Sequence, residues 1–175
     1  MKAKLIKPNA KYKNTYIEAI EQFHLENFLN DKININELKM NFEEYLKKIE
    51  NWENKIDLPD NFSPQSEFWL IHNEEYIGTI KIRHNLGNRI LKELGGHIGY
   101  FIRPSKRKMG YGKIILRLGL VKAKELNLNE VLITCDINNI GSKKIIESNG
   151  GVFEKNVVNN DSDGGFRSRY FINLM

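Results

Sequence analysis

From Leu38 onward the apolar residues fall at Leu38, Phe42, Tyr45, Ile49 and Trp52, the i, i+4, i+7 spacing of one helical face. Tyr16, Ile20 and Phe23 repeat that spacing more loosely ahead of it, so the N-terminal third reads as two helices. Pro59 and Pro64, with Asp60, Asn61 and Ser63 around them, mark a loop, after which the period shortens. FWLIH (68–72), the turn-prone Asn73-Glu74-Glu75 and YIGTIKIRH (76–84) alternate as a β-hairpin. A loop with a short helix around Ile90 to Leu94 leads to the strand GGHIGYFIRP (95–104), ended by Pro104. KIILRLGLVKAKEL (113–126) predicts a helix with Ile114, Leu118 and Val121 inward, and VLITCD (131–136) a strand buried on both faces. SKKIIESNGG (142–151) is a short helix with Ser142 near its start and Gly150 at its end. Two strands, VFEKNVV and FRSRYFINL, flank NNDSDGG (159–165), a turn rich in residues that tolerate positive φ.

The order α-α-β-β-β-α-β-α-β-β describes an α/β protein with a mixed sheet. The strand-helix-strand passage in its middle predicts one parallel pair among mostly antiparallel strands. A chain of 175 residues suits one domain spanning 1–175. Its 41% apolar and 28% charged residues are ordinary for an ordered globular protein, and no repeat or second domain is visible. Lysines at the start are not followed by an apolar segment, and the long apolar helix is broken by Arg117, Lys122 and Lys124. Neither a signal peptide nor a membrane span is expected. The single cysteine, Cys135, cannot form an internal disulfide, which favours a reducing, cytoplasmic setting. Net charge +5 suggests an anionic partner, or only a solvated lysine-rich surface.

The junction RKMGYGKIIL (107–116) gives that charge a location. A helix opening near Gly112 exposes about four unpaired N–H groups and roughly half a positive charge, which together form an anion site. Gly110 and Gly112 keep Cβ atoms away from those amides, and Arg103, Lys106, Arg107, Lys108 and Lys113 are expected to surround them. Phosphate is the expected anion. The spacing fails the P-loop, and Ile115 stands where a dinucleotide fingerprint needs its third glycine. A tight turn without a ligand stays open as an alternative.

The strand GHIGYFIRP, the R-x-x-G-x-G loop from Arg107 to Gly112, the long helix after it, the strand VLITC and the run Asn139-Ile140-Gly141-Ser142 before a short helix together resemble the GCN5-related N-acetyltransferase superfamily. The resemblance covers about residues 68 to 174, the acetyl-CoA-binding core, and leaves helices at about 10–55 as an acceptor-side element. It implies that Arg107, Lys108, Met109, Gly110, Tyr111, Gly112 and Lys113 hold the pyrophosphate of acetyl-CoA. It implies further that Tyr100 and Ile102 line the pantetheine arm through main-chain groups on a splayed strand, and that Asn139 and Ser142 reach the coenzyme.

Acetyl transfer to an amine needs a neutral nitrogen, an oxyanion donor and a way for the thiolate to leave. The resemblance places a glutamate base near the start of the strand before the loop, where this chain has Gly95-Gly96-His97. His97 is thus the candidate base, its alternative being a structural histidine, and Glu93 is a second candidate. Ile146 occupies the position of the family's tyrosine acid, which leaves Tyr170 or Tyr100 as substitutes. Nothing near Cys135 in sequence would lower its pKa and make it an acyl-carrying nucleophile. The expected activity is transfer of acetyl from acetyl-CoA to a primary amine without a metal, the alternative being a non-catalytic acyl-CoA-binding domain. Arg103 to Lys108 lacks the aromatic interleaving of a single-strand binder, so no nucleic-acid partner is expected. The amine's identity and the oligomeric state, a homodimer included, are not legible.

Overall fold

In the computed structural model, residues 2–30, 32–60, 62–159 and 165–175 are described; most of the NNDSDGG turn lies outside them. Strand β1 (Lys4–Ile6) precedes helix α1 (Lys13–Leu25), followed by α2 (Ile35–Met40) and α3 (Phe42–Glu53). Next come β2 (Gln65–His72), β3 (Glu75–Arg83), β4 (Ile98–Ile102), α4 (Tyr111–Glu125), β5 (Glu130–Asp136), α5 (Ile140–Glu147), β6 (Val152–Asn159) and β7 (Gly165–Asn173). The expected short helix after β3 is a π-type turn at Leu91–Gly95.

Three expectations need correcting. The N-terminal helices number three, because Asn41, at φ −118° and ψ 45°, interrupts the second one. Asparagine tolerates that non-helical backbone well, and Leu38 and Phe42 are buried on either side of the break. β1 was not foreseen; three residues are too few to show a period. On α4 the inward face is Ile115, Leu116, Gly119 and Ala123, with Ile114 and Leu118 at its margin, while Val121 is 56% exposed. Leucine, isoleucine and valine lie all round this helix, so the pattern left its phase ambiguous by one position.

The strands form two sheets, β1-β2-β3-β4 and β5-β7-β6, each antiparallel throughout. Period-two alternation gives the first sheet two apolar faces. Trp69, Ile71 and Tyr76 pack against α1 to α3, where Tyr16 stacks on Trp69 at 4.3 Å between centroids. Leu70, Ile80 and Ile82 face α4 in a second cluster, which Ile133, Tyr170 and Ile172 extend into the other sheet. One continuous apolar layer thus ties the two sheets together beneath α4, each buried aliphatic side chain contributing about 1.5–3 kcal/mol.

β4 and β5 are neighbours without a shared ladder among the described residues. They touch at His97, whose N–H donates to Leu132 O at 2.7 Å, while Leu132 N–H donates to His97 Nδ1 at 2.9 Å. Three residues further along β4, the Tyr100 hydroxyl meets Ser142 Oγ, beyond the end of β5, at 3.1 Å. The two strands part from a vertex at His97, where the one bridge recorded between them, Gly96 with Ile133, is antiparallel, so the expected parallel ladder does not form among the described residues.

Candidate active site

Beyond His97 the absence of a shared ladder leaves a cleft between β4 and β5, and the edge of β4 that faces it can be deduced from the β3–β4 ladder. Arg103 N–H donates to Ile77 O, and Arg83 N–H donates to His97 O, both at the same register as the β3–β4 pairing. Odd-numbered residues of β4 thus point their polar groups at β3, and the even ones, Ile98, Tyr100 and Ile102, point theirs at β5. Ile102 O accepts from Arg107 Nε at 3.2 Å; the Tyr100 N–H and C=O and the Ile102 N–H have no partner among the described residues. A strand edge of this kind is a template for an extended, hydrogen-bonding chain.

That edge runs straight into the 103–112 loop. Lys108 at φ +61° and Gly110 at φ +84° both occupy the left-handed region, which turns the chain back onto the start of α4. Gly110 is the N-cap, with no side-chain cap, and its carbonyl accepts from Lys113 and Ile114 N–H. The N–H groups of Lys108, Met109, Gly110, Tyr111 and Gly112 have no acceptor among the described residues. These five amides lie at the positive end of a 15-residue helix, which suits an anion of phosphate size.

Within the protein itself the two glycines answer different constraints. A Cβ on Gly110 would meet nothing within 4 Å, so glycine is required there by its positive φ. At Gly112 a Cβ would overlap Ile145 Cδ1, so that glycine lets α4 and α5 pack closely.

The cationic cluster is also smaller than the sequence suggests. Arg103 is 3% exposed and lies between Glu75 at 2.9 Å and Glu18 at 3.6 Å. Lys106 pairs with Glu75 at 2.7 Å, and Arg107 pairs with Glu26 at 2.8 Å beneath the ring of Phe23. These three tie the loop to α1 and β3. Lys108 and Lys113, both exposed and without an ion pair among the described residues, are left beside the free amides.

Across the cleft, Asn139 caps α5, its Oδ1 accepting from Ser142 N–H at 2.9 Å. Ser142 Oγ bridges to Tyr100, whose phenol is pushed up to about 12 by burial. Cys135 is buried beside Ser142, and burial raises its thiol above the ordinary range. Tyr111 extends away from the amides, its hydroxyl 2.6 Å from His72 Nδ1. Tyr170 is 2% exposed, packs edge-on against Phe153 and donates to Glu147 Oε1 at 3.1 Å.

No side chain can stand at Gly96. Its φ is +70°, and a Cβ there would lie 2.5 Å from Leu132 O, a backbone atom that cannot yield. At His97, Nδ1 accepts the Leu132 N–H, so the neutral ring carries its proton on Nε2 and has no free lone pair to take another. Burial, and next the Arg83 charge, hold its pKa below the ordinary value. Glu93 is paired with Arg89 at 2.9 Å. Ile146 is fully buried in the core.

Two groups near the vertex gave no sequence signal: Arg83, which donates to Gly96 O at 2.9 Å, and Arg167, whose Nε donates to Thr134 Oγ1 at 3.3 Å. Each occupies an ordinary alternating strand position, and only the fold brings them to the cleft. No helix among the described residues is long and apolar enough to cross a membrane, and no cluster of metal-ligating side chains occurs among them.

A parted strand edge feeding a loop of free amides at a helix start is the architecture of an acyltransferase core, and the sequence agrees. The profile of the acetyltransferase (GNAT) domain matches residues 17–152, and the chain belongs to that family. No curated protein sequence matches it. Among solved structures, it is similar to spermidine N-acetyltransferase from Vibrio cholerae in complex with CoA and spermine, at 15% identity and TM-score 0.67, with 98% of this chain and 95% of that one covered. It is also similar to the Salmonella typhimurium acetyltransferase that modifies the N-terminal serine of ribosomal protein L7/L12, at 13% identity and TM-score 0.69, with 98% and 94% covered. A third is the microcin C7 self-immunity acetyltransferase in complex with acetyl-CoA and AMP, at 15% identity and TM-score 0.68, with 98% and 92% covered.

Proposed function

We propose that this protein transfers the acetyl group of acetyl-CoA to a primary amine of a small molecule or peptide, by direct attack through a tetrahedral intermediate. The observation that carries the proposal is two sets of free main-chain groups at either end of one loop, the β4 edge at Tyr100 and Ile102 and the amides of 108–112, with the bonded residues 103–107 between them. Acetyl-CoA supplies an activated thioester. In this reading the pantetheine arm adds to the β4 edge, and the amides from Lys108 to Gly112, with Lys108 and Lys113, hold the pyrophosphate. Asn139 and Ser142 border the arm from α5. Residues 1–175 act as one domain, with α1 to α3 walling the acceptor side. Bound CoA in the V. cholerae enzyme and acetyl-CoA in the microcin enzyme support the ligand class.

The chemistry runs with few side chains. An ordinary lysine-like amine is below about 0.1% neutral at pH 7. With Gly96 unable to bear a carboxylate and His97 held in the vertex, its proton passes to water. Tyr100 N–H, on the open edge, is positioned as the oxyanion donor. Tyr100 also takes precedence over Tyr170 as the acid, since its hydroxyl lies in the cleft while that of Tyr170 is turned to Glu147. His97 is assigned a positioning role: it fixes where the two strands part.

The buried Ile146 and the closed Gly96 also favour a second reading, a domain that binds acyl-CoA without turnover. A panel of primary amines incubated with acetyl-CoA, with thiol release followed, separates the two. Turnover of any amine, lost in Gly110→Val with the loop distorted, supports the enzyme. Tight acetyl-CoA binding with no turnover across the panel supports the binding domain.

A further inference from the structure

The cleft has a second face, opposite α4 and α5. Ile80, Ile82, Ile133, Cys135, Tyr170 and Ile172 all point into the α4 cluster, so alternation turns Lys81, Arg83, Thr134, Arg167 and Arg169 the other way. Phe101 of β4 shares this face with them and packs on Phe23 and Phe28, which marks it as the acceptor side.

Its charges are unevenly matched. Lys81 pairs with Glu67 at 3.0 Å, and Arg169 pairs with Glu154 at 2.6 Å and donates to Glu93 O. Arg83 and Arg167 meet only the neutral oxygens already described, and neither forms an ion pair among the described residues. Asp136 stands opposite Arg167 in the β5–β7 register, yet its carboxylate accepts from Asn138 N–H at 2.7 Å. Both arginines are half-buried, and among the described residues neither guanidinium gains a direct ion pair for the water it has lost, an arrangement that costs stability unless something else supplies the contact. They also flank one point. Arg83 holds the carbonyl of Gly96, and Arg167 holds Thr134, whose hydroxyl donates to Leu94 O at 2.5 Å, so the two stand on either side of the vertex where β4 and β5 meet.

Taking the acceptor to be an amine, as proposed above, we infer that it also carries an oxyanion close to the amine, a carboxylate or a phosphate, which Arg83 and Arg167 receive. A planar guanidinium with free donors suits either group. The same two charges lower the pKa of a nearby ammonium and so raise its neutral fraction, where neither Gly96 nor His97 can act as a base. A polycationic amine would be repelled.

The test uses matched pairs: phosphoethanolamine against ethanolamine, and an α-amino acid against its amide. Turnover is followed by thiol release from acetyl-CoA, and binding separately by thermal shift with CoA present. The anionic member of a pair is expected to have about a ten- to hundredfold higher kcat/KM. In Arg167→Gln and Arg83→Gln that ratio is expected to fall toward one, and Arg167→Lys to restore part of it. Anionic preference in binding without turnover would overturn the catalytic reading and leave this inference standing. Turnover with preference for the uncharged or polycationic amine, or a preference that both glutamine variants retain, would overturn the inference alone. Absence of anionic preference in both readouts overturns it as well.

Discussion

Lys108 holds a left-handed backbone, φ +61°, at the centre of the loop that offers five free amides. A non-glycine residue there costs about 1–2 kcal/mol, and glycine would remove that strain while loosening the unfolded chain by about 0.4–1 kcal/mol. Lys108→Gly is therefore expected to stabilise the protein by about 0.5–1 kcal/mol. For a domain of this size that raises Tm by about 1–4 °C. Lys108→Ala keeps the strain and loses only an exposed charge with no ion pair among the described residues, so its Tm should stay near wild type. Binding should behave differently. If Lys108 meets the pyrophosphate, both variants lose a solvent-screened contact of up to about 1 kcal/mol, and Kd for CoA rises roughly three- to fivefold, more at low salt. Thermal unfolding and calorimetric titration of CoA on the three proteins separate strain from charge. Equal Tm in the glycine and alanine variants would refute the conformational argument, and wild-type Kd in both would remove Lys108 from the phosphate site.

Glu75→Gln takes the near counter-charge from the buried Arg103, which should cost about 2–3 kcal/mol and lower Tm by about 4–12 °C; a loss under about 0.5 kcal/mol would show that Glu18 and Gln22 suffice. Burial, then Arg83, lowers the His97 pKa, so the folded protein binds that proton less readily than the unfolded chain. The stability from neutral His97 is present above the unfolded pKa of about 6.5 and is lost as pH falls below it toward the folded value. His97→Asn, which keeps an acceptor for Leu132 N–H, should reduce the slope of Tm between about pH 7 and 5, leaving the share from His84, also lowered by burial; it should not change the acid limb of the pH–rate profile. A flattened limb would reinstate His97 as the base. Ile146→Tyr, which restores the residue that resembles the family's acid, should destabilise by about 1–3 kcal/mol without raising kcat, because Ile146 is fully buried and packs on Gly151; an increase in kcat would show that the cleft reaches this position.

What was legible in the sequence was local. The hairpin of β2 and β3 showed in its alternation, α5 in Ser142 and Gly150, although its N-cap falls earlier, at Asn139, and the start of α4 in the two glycines, because caps, turns and periods act between residues a few positions apart. Where local signals were weak, the reading erred: Val121 was turned inward on a helix apolar all round, and the break at Asn41 passed beneath an uninterrupted apolar period.

The chain by itself determined that a strand would run into a glycine-bearing helix start, and that the nearby side chains would be cationic. Tertiary structure decided which of those cations stay available, because the acids that engage Arg103 and Arg107 come from α1 and β3, up to 85 positions away in the case of Glu18. It also decided that His97 pairs with the edge of β5 and that Gly96 can carry no side chain, since both depend on Leu132 being brought against them. Hydrogen-bond partners and counter-charges are fixed by distance in space, and sequence separation carries no record of it.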